Sequence, residues 1–165
     1  MAVFLGSALL TRSLAAGAVL GSLSGILLEA GLVDAATGRI PNALMTVAGL
    51  LAFALQMIAN GPEGALVRAG MVALLWSLAA GTLFARGGIG GGDLKMVGVT
   101  WIAIAAFPPL LALALTLEWA AALLVAVSTI RLRGRRHLRA GLTLAIVAIA
   151  VWMSGIGVLA QNLRN

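Results

Sequence analysis

The chain has 165 residues, 62% of them hydrophobic and only 10% charged, with a net charge of +6 and a mean hydropathy of +1.11. Soluble domains average about half apolar and a quarter charged residues, so this balance excludes an ordinary water-soluble protein and predicts an integral membrane protein. The positive charge does not point to nucleic acid, because little polar surface remains for a basic face and the aromatics lie scattered in apolar runs. With no cysteine in the chain, disulfides, thiolate metal sites and cysteine nucleophiles are excluded too.

A helix needs about 20 apolar residues to cross a bilayer, with a working range of about 17 to 25. On that measure the sequence predicts an all-α, polytopic membrane protein with six transmembrane helices in one domain, residues 1–165. The first apolar run, Leu14 to Val33, follows a short apolar leader expected at the surface. It reads as a retained helix and not a cleaved signal, because about ten apolar residues precede Arg12 where a signal wants its charge first. Gly17, Gly21 and Gly25 share one face of this run and predict close helix packing. Asp34 then opens a polar loop, Asp34-Ala35-Ala36-Thr37-Gly38-Arg39-Ile40-Pro41-Asn42. Pro41 suits the first turn of a following helix, where its missing N–H costs nothing.

The second run extends from Asn42 to Ala59, and Asn60-Gly61-Pro62-Glu63-Gly64 is a dense turn signal that returns the third run, Ala65 to Phe84, antiparallel. Arg86 and a glycine-rich break, Gly87-Gly88-Ile89-Gly90-Gly91-Gly92-Asp93-Leu94-Lys95, come next. The fourth run, Leu94 to Phe107, is short for a bilayer at 1.5 Å per residue and is stopped by Pro108-Pro109. The fifth spans Leu110 to Ile130, the strongly basic stretch Arg131 to Arg139 follows, and the sixth covers Gly141 to Leu159. With six crossings, Arg39, Arg86, Lys95 and the Arg131 to Arg139 stretch fall on one side, with Arg12, Arg68 and Arg164 on or near the other. Because lysine and arginine mark the cytoplasmic face, both aspartates are expected there, with both termini outside.

Asp34 and Asp93 are the only aspartates in the protein. A carboxylate near membrane depth costs about 2.5 to 3.5 kcal/mol on insertion scales, so such a residue tends to have a task. Two acids brought together in a poorly solvated site are expected to share one proton and to titrate as a unit. One then activates a water while the other protonates a carbonyl oxygen or leaving amine, which is what peptide hydrolysis without a metal or covalent nucleophile requires. The glycines allow another backbone to come close, and irregular backbone at membrane depth must line a cavity or be buried. A phosphate cradle is excluded, since Lys95 is neither preceded by glycine nor followed by serine or threonine. Asp93 also suits a helix N-cap, Lys95 an inner-face anchor, and the Arg131 to Arg139 stretch a topology determinant. His137 has no ligand partner in the sequence, and no metal site is expected. Glu29 and Glu118 lie in or near apolar runs and invite a functional question.

Together, Asp34 with Arg39-Ile40-Pro41-Asn42 and Gly90-Gly91-Gly92-Asp93-Leu94-Lys95 resemble the two signatures of the type IV prepilin peptidases, the bacterial G-x-G-D membrane aspartyl proteases. The resemblance implies a membrane aspartyl endopeptidase that removes the short basic leader of prepilins or pseudopilins at the cytoplasmic face of the inner membrane. It implies Asp34 and Asp93 as the catalytic dyad, with Gly90, Gly92, Lys95, Arg39, Pro41 and Asn42 forming the motif and positioning substrate. No cofactor is implied, and the partners are a substrate with a membrane-anchored helix and the lipid bilayer itself. The long form of the family adds a cysteine-bearing cytoplasmic domain with N-methyltransferase activity. This chain lacks the length and the cysteines for it and resembles the minimal form of tight-adherence (Flp) pilus systems. Its first loop is less basic than usual, with Arg39 alone.

A reading from another class is a small proton-coupled transporter or channel in which Asp34, Asp93 and Glu118 form an ion path. Transport predicts acids spread across the bilayer depth and often internal repeats. A third is a non-catalytic assembly subunit packed through its glycine faces.

Overall fold

The computed structural model describes the backbone of residues 2–85, 91–132 and 143–150, with side chains over 14–78, 91–121 and 143–150. All of the regular structure in them is helical: α1 (Ala2–Thr37), α2 (Asn42–Ala85), α3 (Gly91–Ile104), α4 (Pro109–Leu132) and α5, residues 143–150.

No glycine–proline break separates the leader from the first apolar run, and α1 accordingly continues unbroken from Ala2, so the leader is part of that helix. The helix ends where Gly38 adopts φ 74°, a left-handed conformation that glycine takes at no steric cost. Gly38 N–H donates to the Asp34 carbonyl at 2.8 Å, closing the left-handed helix cap. Three residues later Pro41 stands at the cap of α2, its carbonyl accepting the first helical bond from Met45 N at 3.3 Å.

Within α2 the expected turn is compressed to one non-helical residue, Gly61 (φ 71°, ψ 175°), followed by Pro62. The two arms, 42–60 and 62–85, run in opposite directions along α3, as the hydrogen bonds at its two ends require. Near the start of α3, Lys95 Nζ donates to Asn42 Oδ1 of the first arm and Leu94 O accepts from Trp76 Nε1 of the second. Near its end, Ile102 O accepts from Gln56 of the first arm and Ala105 O from Arg68 of the second.

The core is a seam between these elements. Leu20, Leu23, Leu27 and Ala30 of α1 meet Met45, Ala48, Ala52 and Leu55 of α2, and Met96, Val97, Val99 and Ala103 of α3 close the third side. The 3- and 4-residue spacing on α1 is that of a helix presenting one face. Gly17, Gly21 and Gly25 lie off that face: all three are exposed, and a Cβ on any of them would meet nothing within 4 Å. The glycine face expected to pack is therefore turned outward, and branched aliphatic side chains make the helix contact instead. Much of the outer surface is apolar, including Leu50, Leu66, Leu74, Leu75, Leu78, Leu110 and Leu117, each at least 60% exposed. An outward belt of that kind marks a membrane or protein interaction surface.

The expectation of six transmembrane helices is corrected by the structure. The described residues hold five helices, and among those whose side chains are described only two stretches, Leu14–Thr37 and Asn42–Leu78, are long and apolar enough to cross a membrane, α4 entering there over Pro109–Ala121 alone. The second and third runs are the two antiparallel arms of α2, joined directly at Gly61 with no loop between them. The fourth forms a helix of 14 residues, about 21 Å long at 1.5 Å per residue against a core of about 30 Å. The sixth is described over 143–150 only. The placement of both termini outside, which rested on counting six crossings, goes with it. The stretch from 133 to 140, which includes His137, and residues 151–165 lie outside the described residues.

Candidate active site

Asp34 occupies the last turn of α1, where the cap at Gly38 stops the helix. Thr37 reinforces that end: its hydroxyl donates to Val33 O at 2.8 Å and accepts from Arg39 N at 3.3 Å. The chain is thereby bent so that Arg39 and Ile40 turn back toward the bundle. Asp34 is 8% exposed, a buried acid among side chains that are otherwise almost all apolar.

Asp93 is the third residue of α3, since that helix begins at Gly91 and not at Leu94. It is thus not the N-cap. In the first turn a carboxylate lies beside unpaired N–H groups and the positive end of the helix dipole, an arrangement that favours negative charge. Gly92 serves the same turn differently: a Cβ there would fall 3.0 Å from Ile40 Cβ, so only glycine lets the first loop approach α3 this closely.

The result is a cavity of about 360 Å³ whose wall includes Asp34 and Asp93 together with Arg39, Asn42, Gly92 and Lys95. Two acids, two cations and an amide thus converge from three helices and the loop between α1 and α2. The Lys95 ammonium donates to Asn42 Oδ1, tying the first turn of α3 to that of α2. Asp34 comes from a helix end and Asp93 from a helix start, so the cavity lies at one end of the bundle. The opposite end, at Gly61 and Phe107, is about 28 Å away along the first arm of α2, taken as 1.5 Å per residue.

Of the residues singled out from sequence, Asp34, Asp93, Arg39, Asn42, Gly92 and Lys95 line this cavity. Pro41 caps α2 beside it without lining it. Gly90 lies outside the described residues. Glu29 and Glu118 are exposed, and neither lines the cavity.

A second set of residues positions the site from a distance. Gln56 is fully buried; its amide donates to Ile102 O at 2.7 Å and accepts from Asn60 Nδ2 at 2.8 Å. Ile102 O is available because α3 tightens at its end, with Ala106 N bonding Ala103 O and Phe107 N bonding Ile104 O at 3.1 Å. Arg68 Nη1 donates to Ala105 O and Phe107 O, both at 3.3 Å, supplying the cation that suits a helix C-terminus. Both arms of α2 therefore hold the far end of α3 while its near end presents Asp93. An amide in the middle of an apolar run was a signal for this role, since buried polar groups demand partners.

Comparison of the chain with protein-family models, with curated proteins and with solved structures gives no match in any of the three.

Proposed function

We propose that this chain is a membrane aspartyl endopeptidase that cleaves the leader of prepilin-like precursors, with Asp34 and Asp93 as its dyad. The observation that carries the reading is that these two acids, distant along the chain and the only aspartates in it, line one cavity at one end of the bundle.

In this mechanism a water sits between the two carboxyl groups. One group, ionised, takes a proton from the water as its oxygen adds to the scissile carbonyl carbon. The other, protonated, gives its proton to the carbonyl oxygen. The tetrahedral diol collapses as the C–N bond breaks: the leaving nitrogen takes the proton first removed from water, and one diol hydroxyl returns its proton to the carboxylate that had protonated the carbonyl oxygen, which restores the dyad. The new acid and amine account for the atoms of peptide plus water. Arg39, Asn42 and Lys95, around the same cavity, orient the peptide backbone, and Gly92 lets the loop after Asp34 close on the turn that bears Asp93. Arg39 and Lys95 favour the cytoplasmic side for this end of the bundle, so the cut falls at the inner boundary of the bacterial cytoplasmic membrane, on a substrate anchored by an apolar helix.

The test is to reconstitute the purified chain in vesicles with a peptide carrying a basic leader, a glycine and an apolar segment, and to follow cleavage by mass spectrometry. The wild-type chain is expected to release the leader, and Asp34→Asn and Asp93→Asn each to abolish release. Cleavage retained by either variant would sink the reading.

A further inference from the structure

Beside the acids lies a second depression, an apolar groove of about 550 Å³, within the size range of ligand sites. Met45 and Thr46 from the first arm of α2 form one wall, Ala73, Trp76 and Ser77 from the second arm form the other, and Gly98 contributes to the floor. The groove shares Asn42, Gly91 and Lys95 with the cavity that holds Asp34 and Asp93. The two depressions therefore adjoin at the Lys95–Asn42 bridge.

The wall formed by Trp76 is fixed. Its Nε1 donates to Leu94 O at 3.0 Å, the residue after Asp93. Its ring packs edge-on against Trp101, with centroids 5.1 Å apart, a favoured aromatic geometry. It also rests on Gly98, where a Cβ would fall 2.7 Å from Trp76 Cδ1. The side chain that bounds the groove is thus tied to the turn that presents one of the two acids.

We infer that this groove receives the apolar stretch of the peptide on one side of the scissile bond, and that Trp76 determines which side chains it admits. The inference rests on the endopeptidase reading and adds to it a specificity-determining residue and the path of the substrate. A lipid chain would fill the apolar part equally well, and its head group would meet Arg39 and Lys95, but it gains nothing from the two carboxylates in the same opening. A peptide that must lie across both acids uses the whole of it.

Two measurements test this. The chain has no cysteine, so Ala73→Cys, at an exposed position on the groove wall, introduces a unique thiol. In an Asp34→Asn background it is mixed, in phosphatidylethanolamine and phosphatidylglycerol vesicles with copper phenanthroline as oxidant, with leader peptides bearing a single cysteine. A disulfide is expected with a cysteine in the apolar stretch and not with one in the basic leader. Equal reaction with both, or with neither, overturns the inference, the latter leaving the groove to lipid. Second, kinetics are compared on peptides with Ala, Leu or Phe in the apolar stretch. Ala73→Leu narrows the groove and is expected to raise KM for the Leu and Phe peptides about tenfold relative to the Ala peptide, the scale on which apolar pockets discriminate, with kcat little changed. Trp76→Phe widens it and shifts preference toward Phe. Unchanged preference in both variants overturns the inference even if cleavage is intact. Selective cross-linking by a chain whose wild type cuts no peptide would instead uphold the groove and end the hydrolytic reading.

Discussion

Ile40 and Gly92 are in such close approach that a methyl group on the glycine would fall 3.0 Å from Ile40 Cβ. That contact joins the loop after Asp34 to the helix turn bearing Asp93. It depends on the absence of a side chain at Gly92.

Gly92→Ala should therefore separate the two elements. Overpacking of this kind costs about 1 to 3 kcal/mol, and the obstructing atom is a Cβ next to the backbone, so the loop itself must move. The loop must give by a few tenths of an ångström, less than the misplacement of about 1 Å that lowers rates about 100-fold. Cleavage of the leader peptide is expected to fall by roughly tenfold while the protein remains inserted and folded, as gel filtration in detergent would establish. Activity within a few-fold of wild type would show that the approach is incidental.

Asp34→Asn and Asp93→Asn should separate chemistry from structure. General acid or base catalysis contributes about 100- to 10,000-fold, and each variant should lose at least that. Asp93→Asn also removes a charge from the first turn of α3, worth about 0.3 to 1 kcal/mol, too little to unfold the bundle. Thermal melts in detergent should then stay close to wild type. A large loss of stability would mean that the acids serve the fold first.

The brace at the far end of α3 should be felt as stability. Replacing Gln56 by Leu leaves Ile102 O and Asn60 Nδ2 without the partners they have now, and an orphaned buried group costs about 1 to 3 kcal/mol. Between helices in a membrane such bonds average nearer 0.6 kcal/mol, so denaturant melts should show a loss between about 0.6 and 3 kcal/mol. Arg68→Ala should lose less, because Arg68 is only half-buried and its two bonds are longer. A Gln56→Leu variant as stable as wild type would remove the brace from the account.

The two ends of the first α2 arm should be reached from opposite sides of the membrane. Arg39 lies in the loop by the cavity and Glu63 beside the kink at Gly61, and both are exposed. With no native cysteine, Arg39→Cys and Glu63→Cys each give one thiol. An impermeant maleimide applied to intact cells should label the Glu63 position, and the Arg39 position only after the membrane is opened. Labelling of both from the same side would mean that this arm does not cross.

Much of this was legible in the chain itself. An excess of apolar residues dictated helices, because in lipid the backbone must satisfy its own hydrogen bonds. Gly61-Pro62 marked the turn, a local and steric effect, whereas α3 ends at Ile104, short of Pro108-Pro109, and Pro109 opens α4 instead. The two aspartates, Arg39, Asn42, Gly92 and Lys95 stood out because polar residues and glycine runs are conspicuous in such a composition. Three things were decided only by packing. One is where the apolar runs divide into separate helices, because an apolar run shows how long a segment is and not what it lies against. Another is which face of α1 is buried: Gly17, Gly21 and Gly25 allow close approach, but Leu23 and Leu27, both fully buried, make more van der Waals contact with the helices they pack on. The last is the meeting of Asp34 with Asp93 in one cavity, which arises where a left-handed glycine turns the chain back and a missing side chain lets it close, a contact between distant segments that no local pattern contains.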